Sequence, residues 1–333
     1  MEVKSIDKSN MRAVILSFPK QFKIGLRAAQ GVKVEGRFDA LTICGMGGSA
    51  LPADILTIWL NAQKIALPVY INRNYGLPFQ TDQRHLVVCI SYSGNTEETL
   101  DCFEGARQKK LKIVTVSSGG KLAEIAKKYG IASVIVPGGL EPRMALGLQF
   151  ATLMQILANC QIIEGGLKSV SALEKLLQPQ NLENEGKVLA KKLKGEIPVI
   201  YASDKFKSLA RIWKIQFNEN SKTPAFSNHF PELNHNEQNQ FAGDKNNQLS
   251  IIMLRDAEDH PRVLKRMELL AQMLREMKVS IDIIDIEGKD ILDKTFSSIL
   301  LGDWTSYHLA LLNKVDPTPV KIIEEFKKKL AQQ

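Results

Sequence analysis

The chain has 333 residues, 44% of them hydrophobic and 24% charged, with a formal net charge of +8. That is the balance of a globular protein with enough length for two ordinary domains. No uninterrupted apolar run approaches the roughly eighteen residues of a membrane span, and Met1 to Asn10 lacks the apolar core of a signal peptide, so a cytoplasmic protein with no membrane partner is expected.

The positive charge attracts anions: a phosphorylated small molecule, a membrane surface or nucleic acid. Nucleic acid fits poorly, because the basic residues are scattered and "KKLK" and "KKKL" are ordinary helical faces without interleaved aromatics. Cys44, Cys89, Cys102 and Cys160 stand too far apart for a close metal-ligand pairing, and two lie inside apolar strand candidates. Buried, reduced thiols are expected.

In chain order, the first forty residues read as helical, with Met11, Val14, Ile15, Phe18, Phe22 and Leu26 at roughly helical spacing and a break at Pro19. "DALTICGMGGSALPADILTIWL" then gives a short strand, a glycine-rich turn and a helix that tolerates Pro52 in its first turn. "LPVYINRN" is the next strand. "HLVVCISYSGNTEETLDCFEGARQKK" repeats strand, polar turn and helix, and "KIVTVSSGGKLAEIAKKYG" with "ASVIVPGG" continues the plan. From Pro142 to about Lys194 the spacing is helical, interrupted at Pro179. The alternation returns in "IPVIYAS", "SLARIWKIQFNENS", "LSIIMLR", a helix from about Pro261 to Met277, and "SIDIIDI". This pattern predicts an α/β protein of two doubly wound, flavodoxin-like parallel-sheet domains, over residues 1–160 and 161–333.

In such sheets, ligands bind where strand ends feed helix starts, because free amides and the helix dipole point there together. Two turns occupy that place. Gly45, Met46, Gly47, Gly48 and Ser49 let the backbone approach an anion closely. Ser91, Ser93 and Thr96 add three hydroxyls that can donate to phosphate oxygens, and no lysine of a Walker loop is present. A plainer reading makes Asn95 and Glu98 a capping box that satisfies the helix's own amides. A cofactor reading rests on Gly45, Gly47 and Ala50, which fit a dinucleotide fingerprint. The acidic residue expected after the next strand is replaced by Asn72, Arg73 and Asn74, of which Arg73 would suit a 2′-phosphate.

A third cluster, Phe217 to Phe241, is dense in Glu219, His229, Glu232, His235 and Glu237, with prolines that forbid a continuous helix. It lacks the tight His spacing of a helical zinc motif. A carboxylate near a helix end and an imidazole on a loop suit general acid/base work, and a solvated polar loop is the competing reading.

Taken together, "CGMGGSA", "SYSGNTEET", "EPRMALG", "FNENSKTPAF", "HNE" and "DPTPV" resemble the motifs of the bifunctional phosphoglucose/phosphomannose isomerases, a branch of the sugar-isomerase (SIS) domain proteins. The match runs in order from about residue 40 to the C-terminus. The resemblance implies two SIS domains in a homodimer that interconverts glucose 6-phosphate or mannose 6-phosphate with fructose 6-phosphate, without metal or cofactor. By position in the motifs, Gly47, Gly48, Ser49, Ser91, Ser93 and Thr96 would hold the phosphate. Glu219 would be the base shuttling a proton between C1 and C2, Arg143 would stabilise the enediolate, and His235 would assist ring opening from the neighbouring subunit. Lys327 in the last helix would bind substrate.

The residue types suit that chemistry. One base must reach two adjacent carbons, which favours the long arm of glutamate. A fixed positive charge beside an enediolate lowers the barrier, and arginine keeps its charge at any working pH. Histidine gives and takes protons near neutrality. Taken singly, Arg143 could pair with a carboxylate on its own helix, His235 could cap a nearby helix and Lys327 could be a solvated lysine. A sugar-phosphate sensor that binds without reacting is the alternative function. Thr318 is a candidate for choosing between the glucose and mannose epimers.

Overall fold

A computed structural model describes residues 2–243, 248–330 and 332. Helices α1 (Glu2–Ile6), α2 (Met11–Ser17) and α3 (Lys20–Ala28) precede strand β1 (Ala40–Cys44). Then come α4 (Leu51–Ala62), β2 (Val69–Asn72), β3 (His85–Ile90), α5 (Glu97–Gln108), β4 (Lys112–Ser117), α6 (Gly120–Lys128) and β5 (Ala132–Ile135). Helices α7 (Leu146–Asn159), α8 (Leu167–Leu176) and α9 (Pro179–Lys192) follow. The remaining elements are β6 (Ile197–Ser203), α10 (Lys207–Gln216), β7 (Phe226–Phe230), β8 (Leu249–Arg255), α11 (Pro261–Glu276), β9 (Ser280–Asp285), α12 (Ile291–Leu312) and α13 (Lys321–Leu330). The chain is α/β, with one five-stranded and one four-stranded sheet whose strand pairs all run parallel.

The chain divides into two compact units that do not follow a single cut at residue 160. One comprises residues 17–178 and 288–295; the other comprises residues 1–16, 179–287 and 296–333.

In the first unit the strand order is β2-β1-β3-β4-β5. β1 (ALTIC) and β3 (HLVVCI) are buried at every position, as expected of strands covered on both faces. Cys44, Val87, Cys89, Cys102, Phe103 and Leu122 share one core cluster, and all four cysteines are buried free thiols. Helices α7 and α8 belong here because α3 packs on them. A Cβ on Gly25 would stand 2.4 Å from the Leu148 carbonyl oxygen, so α3 and α7 meet backbone to backbone. The buried Gln21 amide ties α3 to the start of α7, accepting from the Leu148 amide at 3.0 Å and donating to the carbonyl of Met144, just before α7, at 2.7 Å.

In the second unit the order is β7-β6-β8-β9, around a core of Tyr201, Phe230, Leu233, Ile251, Met253, Met267 and Leu274. The opening segment belongs to this unit for polar reasons. Asp7 accepts from the amides of Met11 (2.7 Å) and Arg12 (3.2 Å), satisfying donors at the start of α2, and also from the Tyr307 hydroxyl (3.1 Å). Arg12 grips Glu183 of α9 through two bonds of 2.8 and 2.7 Å. Among the described residues, no helix is long and apolar enough to cross a membrane.

Candidate functional site

In the unit of β1–β5, the chain leaves β1 through Gly45 and Met46 and makes a 3-10 turn, Gly47–Ala50, before α4. Gly47 has φ +50°, which favours glycine. Gly48 is required for space: a Cβ there would lie 2.5 Å from the Arg143 amide nitrogen and 2.6 Å from the Pro142 carbonyl carbon. The "EPR" segment, a second 3-10 turn over Pro142–Ala145, is thus seated against the glycine turn. It brings Arg143 with it, 6% exposed, with Nη1 3.5 Å from Glu141. It is the Arg143 backbone that meets Gly48; amides of a glycine turn that opens a helix make this corner attractive to an anion.

The β3–α5 turn completes the corner. Ser91 is wholly buried, and its hydroxyl pairs with that of Thr96 at 2.8 Å, which leaves one proton of the pair to donate outward. Ser49, 4% exposed, accepts from the Tyr92 amide at 3.0 Å and so keeps its own O–H for another acceptor. Ser93 is exposed on the same turn. Gly94 has φ +71°, and a Cβ there would meet the Gly119 carbonyl at 1.8 Å, so the following β4–α6 turn supports this one.

The Asn95–Glu98 capping box does not form: the residue at the start of α5 is Thr96, without a side-chain cap bond. Asn95 instead accepts from the Lys121 amide at 3.1 Å, bracing the turn against α6. Arg73, the candidate for a 2′-phosphate, is committed to the buried Asp54 at 2.6 Å. The structure therefore brings together Gly47, Gly48, Ser49, Ser91, Thr96 and Arg143, with Ser93 at the edge.

In the unit of β6–β9, Phe217–Ser221 forms a π-helical turn at the end of α10, where a solvated loop was the competing expectation. Such turns displace side chains from the regular helical face and are frequent at functional sites. Internal bonds fix it: the Ser221 hydroxyl donates to the Phe217 carbonyl at 2.8 Å, and the Asn218 amide to the Thr223 carbonyl at 3.0 Å. From α12, Ser306 accepts the Asn220 amide at 3.0 Å. Glu219, half-buried, lines a cleft of 560 Å³ together with Asn218, Lys222, Asp316, Ile322 and Ile323.

His235 lies elsewhere in the same unit. It is exposed, at the end of a 3-10 turn over Glu232–His235, and is not among the residues lining the Glu219 cleft. The "HNE" motif divides the labour of presenting it. Asn236 accepts from the Glu237 amide at 2.5 Å and donates to Glu232 at 2.9 Å, while Glu237 accepts from the Tyr201 hydroxyl at 2.8 Å and from Asn228. Burial and the nearby Glu237 push the Tyr201 phenol well above its usual range, so it stays a donor at neutral pH. Asn228 and His229 sit on β7, an edge strand missing from the sequence reading.

Lys327 is exposed on α13 and does not line the cleft; its helix contributes Lys321, Ile322 and Ile323 instead. The α13 helix buries no residue, and Ile322 (85%) and Phe326 (64%) are largely exposed. Among the described residues no group of three or more His, Cys, Asp or Glu is arranged to hold a metal ion.

A family profile described as the bacterial phospho-glucose isomerase C-terminal SIS domain matches residues 182–330. A bifunctional phosphoglucose/phosphomannose isomerase of Caldicellulosiruptor bescii is 39% identical over 94% of this chain and 95% of its own length. The chain belongs to the bifunctional phosphoglucose/phosphomannose isomerase family. An Aquifex aeolicus member of that family is 35% identical over 88% of this chain and 91% of its own. The C-terminal domain of glucosamine-fructose-6-phosphate aminotransferase from Francisella tularensis superposes with a TM-score of 0.71 at 13% identity, covering 93% of this chain and 98% of that one; this likeness is one of fold. The family's two-sheet SIS architecture accounts for both units, and the matched profile includes Glu219, His235 and Lys327.

Proposed function

We propose that this chain interconverts glucose 6-phosphate and mannose 6-phosphate with fructose 6-phosphate by proton transfer through an enediolate. The observation that carries this reading is the near-full-length relationship to the Caldicellulosiruptor bescii isomerase. The site chemistry supports it. Ser49, Ser91, Ser93 and Thr96, with the amides of Gly47 and Gly48, bind the phosphate as neutral donors, so the dianion is held without a counter-charge that would compete with the reacting end. Arg143 supplies that charge where the enediolate forms. Glu219 takes the proton from one carbon and returns it to its neighbour, and the π turn keeps its carboxylate in a cleft with an apolar wall.

His235 assists opening of the cyclic sugar. Its exposure, outside the Glu219 cleft, supports service to a second copy of the chain in a homodimer, and the uncovered apolar residues of α13 support such an association. Lys327 on that helix contributes to substrate binding. We place the reaction in the cytoplasm and without a metal or organic cofactor.

The test is to present fructose 6-phosphate to the purified protein in excess chelator and read glucose and mannose products separately. Both products are expected. Substrate binding with no conversion over long incubation would instead identify a sugar-phosphate sensor.

A further inference from the structure

We infer that Lys222 is a positioning residue for Glu219, clipping the base-bearing turn to the opposite wall of its cleft. The inference rests on the reading of Glu219 as the base. Lys222 ends the π turn in the left-handed region, φ +55° and ψ 31°, where Lys64, Lys110, Lys278 and Lys314 of this chain also have positive φ. The reversal folds the lysine back along the turn, and its ammonium donates to the carbonyls of Glu219 (2.7 Å), Asn220 (3.4 Å) and Pro317 (3.1 Å).

Carbonyls at the end of a helical segment have no amide to accept from. An ammonium has three donors, and this one reaches two carbonyls of the base turn and one from the segment that leads into α13. Residues on both sides line one cleft: Asn218 and Glu219 on one, Asp316, Pro319 and Ile322 on the other. Asn220 to Ser306 ties the turn to α12, and Asn313, just past α12, donates to Thr223, just past the turn, at 3.3 Å. Lys222 is exposed and makes the corresponding tie to the segment before α13. A carboxylate that must serve two carbons tolerates little displacement, since about 1 Å of misplacement costs up to about a hundredfold in rate.

The test compares Lys222→Met, which keeps the stem and removes the donors, with Lys222→Arg and with the Glu219→Gln/Lys222→Met pair. Hydrogen exchange over residues 217–223 and 315–323 is read alongside kinetics. In Lys222→Met, exchange should accelerate in both segments, and kcat should fall about tenfold to a hundredfold with KM nearly unchanged. Lys222→Arg, which restores donors, should recover much of both. Adding Lys222→Met to Glu219→Gln should cost no further activity, because the lysine acts through the carboxylate.

Unchanged exchange and kcat in Lys222→Met would overturn the proposal. So would faster exchange with unchanged kcat, or a fall in kcat with exchange unchanged, which would place the ammonium on the substrate itself. Should the wild-type chain fail to isomerise hexose phosphates, the base assignment is lost; the exchange data still report whether the clip exists.

Discussion

The two sheets share a plan and differ in what they offer at their strand ends. The order β2-β1-β3-β4 in one unit matches β7-β6-β8-β9 in the other, so the β6–α10 and β8–α11 turns are topological counterparts of the two hydroxyl turns. The first unit presents Ser49, Ser91 and Thr96 there, beside glycines. Its counterpart is filled from within: Lys205, at the start of the β6–α10 turn, forms an ion pair with Asp256, 1% exposed, and its ammonium lies 3.9 Å from Asp259. Burial pushes the Asp259 carboxyl above its ordinary range, against the opposing pull of Lys205. Two carboxylates in this place repel a phosphate. The same fold thus presents hydroxyls and glycines at these turns in one unit and an ion-paired lysine with two aspartates in the other.

That contrast can be broken in several ways. The largest expected effect is that of Glu219→Gln, which should lower kcat by at least about a hundredfold and, on the proposed roles, leave KM close to wild type because the proposed phosphate donors lie in the other unit. A parallel rise in KM would show that the division of labour is wrong. Next is Lys205→Met, which removes the lysine of the buried Asp256 ion pair. Loss of one member of a buried pair costs about 3–5 kcal/mol, and the 30% exposure of Lys205 argues for the lower end, measurable as a reduced denaturation midpoint. Phosphate affinity should not change.

Ser91→Ala tests the hydroxyl turns. It removes one hydroxyl from the Ser91–Thr96 pair and should raise KM about tenfold with kcat largely retained. Titration with substrate should give a stoichiometry of one per chain; two would mean that the ion-paired corner also accepts a phosphate.

The smallest effect concerns pH. Burial lowers the His308 pKa below its ordinary value, more than the neighbouring Glu183 raises it, and Lys187 and Arg12 add to the lowering. The unfolded chain then binds a proton that the folded chain refuses, so stability falls as pH drops from the ordinary imidazole range through the folded value. Glu183, lowered by its bonds to Arg12, adds a loss in the same direction further into acid, as pH falls through its folded value. His308→Gln should flatten the upper part of that slope in urea melts at pH 7, 6 and 5. An unchanged slope would remove His308 from the account.

The sheets and their ligand-facing turns were legible because alternation of apolar runs with helical spacing is a local signal, and β1, β3 and the Pro52 helix start fall where the pattern puts them. The serines, Arg143 and Glu219 were legible as motif residues. What escaped depends on distant partners. The π turn is closed by an αL residue and by α12, and β7 is a five-residue edge strand, "FSNHF", with a polar centre that no period distinguishes from a loop. Gly48 read as a site for close approach by an anion, yet its immediate neighbour is the backbone of Arg143. The capping box failed because Asn95 found a better use on α6, a partner that sequence spacing does not show. The compact units differ from a cut at residue 160 because helical spacing cannot say which sheet α8 serves.

The assignment of residues 2–16 to the same unit as residues 179–287 and 296–333 bears on how the protein is made. The ribosome releases Asp7 and Arg12 well before their partners Tyr307 and Glu183, so both wait in solution until those residues emerge. Most of the unit of β1–β5 can condense meanwhile, but the Asp7–Tyr307 contact cannot form before Tyr307 has been added. A gene fragment starting near residue 179 would therefore encode that unit without its opening strap.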